Sequence, residues 1–101
     1  MLTHVVMFKL KEKTQELVDE TVARLMAMDG EIPSLRGLEV GADVILSTRS
    51  YDVVLIADFD NQDGLDAYIA HPAHQVVLEF IERVMEPRIV VDFVRLEEVG
   101  G

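Results

Sequence analysis

The two ends of the chain constrain its fold most, because Leu2–Leu10 and Arg88–Leu96 are apolar at almost every position rather than at every second one. A strand with one wet face alternates, whereas a strand apolar on both sides has to be covered on both. In the first stretch Leu2, His4, Val6, Phe8 and Leu10 share one face and Thr3, Val5, Met7 and Lys9 the other. In the last, Ile89, Val91 and Phe93 oppose Val90, Asp92 and Val94.

The segments between them supply the rest of the architecture. Thr14 is placed to cap a helix in which Leu17, Val18, Thr21, Val22, Leu25 and Met26 form one stripe, ending near Asp29-Gly30. Ile32-Pro33 leads to a weak strand around Gly37–Ala42, whose glycines and alternating Leu38, Val40 and Ala42 point to an edge or bulged position. Tyr51–Phe59 is a clearer strand, with Tyr51, Val53, Leu55, Ala57 and Phe59 on one side and Asp52, Val54, Ile56 and Asp58 on the other. Asp60 or Asn61 can cap the helix that follows, and a further helix runs to about Met85, where Glu86-Pro87 stops it.

The resulting order, β-α-β-β-α-β, predicts an α+β, ferredoxin-like domain spanning 1–101, an antiparallel four-stranded sheet with its helices on one face. Two helical regions can cover one face of such a sheet and not both. Val5, Met7, Val54, Ile56 and one set from the last strand then form an apolar surface without a lid, so a homodimer is expected, with two sheets packed face to face. At 101 residues the chain buries only about 60–65% of its unfolded surface, which adds to the need for a second subunit.

Charge and composition narrow the partners. The net charge of −10, with nine scattered Lys and Arg, argues against nucleic acid or an anionic membrane. Without cysteine there is no disulfide, thiolate nucleophile or Cys-ligated metal. Met1-Leu-Thr-His lacks the features of a signal peptide and no apolar run approaches the roughly 20 residues of a membrane span, so a cytoplasmic protein is the expectation.

Most of the chemistry-bearing side chains gather in Tyr68-Ile-Ala-His71-Pro72-Ala-His74. Proline fits the first turn of a helix and disfavours helix before it, so His71-Pro72 predicts a corner between two helices. Leu65, Tyr68 and Ile69 precede the corner on one stripe; His74, Val77, Leu78, Ile81 and Val84 follow it on another. Tyr68 and His74 are therefore expected to face the core, and His71 to start the second helix near the surface. Buried without partners, each polar group would cost roughly 1–3 kcal/mol, so the pair either latches the corner or faces a cavity.

The His4-x-Val6-x-Phe8 strand, Tyr51-Asp52, the Tyr68-x-x-His71-Pro72-x-His74 corner and Val91-Asp92-Phe93 together resemble the stress-responsive dimeric α/β-barrel domains over nearly the whole chain. The strands alone also fit related ferredoxin-like families such as cofactor-less monooxygenases. The resemblance implies a homodimeric barrel, linked to stress responses. One plant branch of the family includes a polyketide cyclase that closes a ring by aldol-type chemistry, using a tyrosine and a histidine at the positions of Tyr68 and His74. His4 and Asp92 match polar positions near that pocket, whereas Val53 stands at the place of a histidine and Leu25-Met26 at that of a tyrosine.

Two functions follow as expectations. One is a module that binds a small apolar or aromatic molecule between sheet and helices, lined by His4, Val6, Phe8, Leu55 and His71. The alternative is a cofactor-independent cyclase, lyase or isomerase in which His74 is the base, Tyr68 supports a developing enolate, and Asp92 orients His74 or else accepts from His4. No short-spaced His or Asp/Glu pattern supports a metal site, and no cofactor is expected. The run Asp58, Asp60, Asp63 and Asp66 reads as a strand exit and a solvated helix start, and the five methionines as packing residues.

Overall fold

The computed structural model describes residues 1–96. Strands β1 (Leu2–Phe8), β2 (Gly37–Ala42), β3 (Val53–Phe59) and β4 (Ile89–Val94) form one antiparallel sheet in the order β2-β3-β1-β4. Helices α1 (Gln15–Met26), α2 (Gln62–Ala70) and α3 (Pro72–Val84) complete a ferredoxin-like α+β fold. The weak segment Gly37–Ala42 is indeed a strand, and it lies at an edge.

Local chemistry sets the boundaries. The Thr14 side chain accepts from Leu17 N–H, and that of Asn61 from Gly64 N–H, so each supplies a bond that the first helical turn lacks. At the corner His71 is extended (φ −68°, ψ 140°), Pro72 opens α3, and His71 Nδ1 accepts from Ala73 N–H at 3.0 Å. Gly30 closes the turn after α1 at φ 83°, where a Cβ would be strained.

The helix side of the sheet carries the core. Val6 and Phe8 from β1 and Val53, Leu55, Ala57 and Phe59 from β3 are buried against Val18 and Leu25 of α1, Leu65 and Tyr68 of α2, and Val77 and Ile81 of α3. Every second residue of β3 is thus buried, as its alternation requires.

Four expectations need correction. Leu10 lies beyond β1 in an isolated bridge to Met85, because Asp52 intrudes at the end of the strand: its backbone N–H reaches Phe8 O, and its carboxylate takes Leu10 N–H at 2.8 Å and Lys13 Nζ at 3.0 Å. Tyr51 and Asp52 accordingly precede β3 instead of opening it. Met26 is exposed at the last turn of α1, and Met28, in the turn beyond, fills the core in its place. Finally, the helix-side residues of β4 are left exposed by their own chain, since the strand lies at the edge of the sheet; Val94 there is 68% exposed.

The opposite face of the sheet has no helix on it. Val5 stands between Ile56 and Val91, and Met7 between Val54 and Ile89, forming one continuous apolar surface across three strands. At one end this surface turns polar: Thr3 Oγ1 donates to Asp58 Oδ1 at 2.8 Å and accepts from Arg95 Nε at 2.7 Å.

Candidate functional site

Register brings the first two polar groups together. His4 lies directly opposite Asp92 across β1 and β4, on the helix side of both strands. His4 Nδ1 is bonded to Asp92 Oδ1, so in the neutral ring the lone pair is on Nε2. The helices supply the other two. Tyr68, from the last turns of α2, has its ring 6.1 Å from that of His4 and 5.0 Å from Phe59, and His74, in the first turn of α3, sits edge-on to Tyr68 with centroids 4.7 Å apart. The tyrosine is therefore a divider between two imidazoles.

These groups border a cavity of about 290 Å³ between sheet and helices. Val6, Phe8 and Leu55 form its sheet wall, with Leu25, Val77 and Ile81 opposite. Of the expected site residues, Tyr68, His74, Asp92, His4, Val6, Phe8 and Leu55 all line it. His71 does not: its Nδ1 is engaged in capping α3. Arg88, Leu25, Met28 and Val90 were not foreseen as lining residues, although the parity of Arg88 with Val90 and Asp92 could have flagged the arginine. Among the described residues no group of three or more His, Asp or Glu is arranged to hold a metal ion.

Of the two partners expected for Asp92, it takes His4, and the relay to His74 is not formed. Strand pairing puts Asp92 beside His4, while His74 comes from a helix and packs on Tyr68 instead. His74 Nδ1 is buried and has no hydrogen-bond partner. The nearby Ile69 carbonyl favours a charged ring but makes no bond to Nδ1, and it already accepts from the Gln75 amide at 2.8 Å. Burial dominates, helped by His4 and Arg88, and holds the His74 pKa below its ordinary 6.5. Burial also pushes the Tyr68 phenol up to about 12. At neutral pH the cavity thus presents a neutral imidazole with an unsatisfied nitrogen next to a protonated phenol.

That shift has a consequence for stability. Unfolded His74 takes up a proton near 6.5 and the folded ring only at lower pH, so protonation favours the unfolded chain as pH falls. The His74 contribution is present above 6.5 and is lost from there down towards the depressed folded value. Urea titrations should show the wild-type midpoint declining across this window more steeply than that of His74→Gln; parallel declines would contradict the shift.

A family model described as the stress-responsive A/B barrel domain matches residues 2–95. The chain belongs to this family. A structure from Thermobifida fusca, described as a dimeric ferredoxin-like protein of unknown function, is 30% identical, with a TM-score of 0.83 over 93% of this chain and 90% of that one. An uncharacterised Streptomyces coelicolor protein is 32% identical over 78 residues, 74% of this chain and 80% of that protein. The hydroxynitrile lyase of Passiflora edulis shares the fold at a TM-score of 0.80, covering 96% and 94% of the two chains, at only 13% sequence identity. Leu25 lines the cavity, whereas Met26 is exposed and Val53 is packed in the core. Among the described residues of this family member no helix is long and apolar enough to cross a membrane.

Proposed function

We propose that the protein is a homodimeric barrel that binds a small, largely apolar or aromatic molecule in the cavity between its sheet and helices. The observation that carries this reading is the unpartnered His74 Nδ1 in a cavity whose other walls are mostly apolar. A buried nitrogen left without a bond costs roughly 1–3 kcal/mol, and a ligand hydroxyl or carbonyl would remove that cost. The dimer is supported by the uncovered apolar face around Val5 and Ile56 and by the dimeric description of the Thermobifida neighbour.

A screen of small aromatic compounds by thermal denaturation tests the reading. A binder at about 100 times its Kd stabilises the fold by roughly 2.7 kcal/mol. Filling the cavity by Val77→Phe should abolish the shift; compounds that stabilise this variant as strongly as the wild type bind elsewhere, and the reading fails.

The same groups favour a second reading, cofactor-independent acid/base chemistry of the cyclase, lyase or isomerase type. A neutral imidazole with a free nitrogen can take a proton from an acidic C–H or O–H, and the protonated Tyr68 phenol can donate to the oxyanion that forms. His4, held by Asp92, is a second imidazole facing the same space. On this reading Tyr68→Phe and His74→Ala lose turnover while retaining ligand affinity.

A further inference from the structure

We infer that the cavity is built for an anion, and that its ligand is an amphipathic carboxylate whose acid group is held by Arg88. The inference rests on the ligand-cavity reading above and names the chemical class of the occupant.

The chain carries nine basic residues against nineteen acidic ones, so a cation at the cavity wall is a departure from the overall balance. Arg88 is the basic residue among those lining the cavity, on the same side of the last strand as Val90 and Asp92. The cavity's carboxylate, Asp92, is already bonded to His4. Arg88 is paired more weakly: Nη1 meets Glu82 Oε1 at 3.4 Å, a long, single-pronged contact to a carboxylate that is 63% exposed. Such a pair is easily exchanged. Guanidinium presents a planar fork that fits a carboxylate with two parallel hydrogen bonds, which a neutral amide cannot reproduce.

The walls then define the rest of the molecule. Leu25, Leu55, Val77 and Ile81 offer no partner for a charge, so an aromatic or alkyl body belongs among them and the acid group at the Arg88 end. His74, whose neutral ring can carry its proton on Nδ1, adds a donor that a carboxylate oxygen or a second ligand oxygen can use.

Phenylacetate and phenylacetamide, nearly equal in shape, separate charge from size. Both are titrated into the full chain near neutral pH while the methyl resonances of Leu25, Leu55 and Val77 are followed. The acid should bind at least about tenfold more tightly than the amide, as expected for a charge-assisted hydrogen bond. Arg88→Met should erase that preference by weakening the acid far more than the amide. Arg88→Lys should retain part of it, and Glu82→Gln, which removes the competing carboxylate, should strengthen acid binding. Equal binding of acid and amide, or an acid preference that survives Arg88→Met, overturns the inference while leaving the ligand-cavity reading standing. Arg88 also borders a shallow outer depression with Lys11 and Met85, so acid-induced shifts at Met85 without shifts at Leu25 and Val77 would overturn it too. If neither probe perturbs the cavity methyls, both the inference and the reading it rests on are contradicted.

Discussion

Val54→Asp should convert the proposed homodimer to monomer or unfold it. Val54 lies opposite Met7 on β1 and Gly41 on β2, on the sheet face that no helix covers. In a two-fold dimer each substitution places a charge on both sides of the interface, where an unpaired buried charge costs about 3–5 kcal/mol. A standard interface of roughly 800 Å² per partner, more than half of it apolar, gains about 20 kcal/mol from burial, but association itself costs about 4–15 kcal/mol, and two such charges offset most of the remainder. Ile56→Lys should be milder than its central position implies, because Glu39 stands directly opposite on β2 and can pair with the new ammonium. Sedimentation at micromolar concentration checks both variants. A wild type that sediments as a stable monomer would contradict the face-to-face assembly.

The second large effect concerns Tyr68, only 2% exposed and in contact with His4, His74 and Phe59. Tyr68→Ala removes the ring that separates the two imidazoles and enlarges the cavity beneath the helix corner. Loss of a buried aromatic costs about 3–5 kcal/mol, a large fraction of the roughly 5–15 kcal/mol that holds a domain of this size. Tyr68→Phe keeps the ring and should cost no more than about 1.5 kcal/mol. Urea denaturation distinguishes them. If the two variants lose equal stability, the hydroxyl is a latch and the ring's packing is not what holds the corner.

The corner was legible in the sequence because proline acts locally: His71-Pro72 specifies its own break whatever surrounds it. β3 was legible because Val53–Phe59 is a run rich in strand-forming residues, and the two-residue period of a strand assigns its faces whatever the neighbours. The partner of Asp92 was not, because it depends on how β1 and β4 are aligned, and sequence parity gives the face of a residue without its register. Phe80 was missed for a related reason. It lies beside the Val77–Ile81 stripe, and its burial is completed from outside by the Arg24 and Arg83 guanidiniums, with Arg24 only 4.5 Å from the ring centre. The helix side of β4 was misjudged because apolar parity gives no measure of how far the helices of the same chain reach across the sheet.

The most direct test of ligand binding through His74 is ¹⁵N NMR of the imidazoles while an aromatic that stabilises the protein is titrated to saturation. The Nδ1 resonance of His74 should move as that nitrogen gains its missing partner, following the same Kd as the cavity methyls, while His4 Nδ1 stays bound to Asp92. A His74 Nδ1 resonance unchanged at saturation would contradict the claim that this nitrogen receives the ligand.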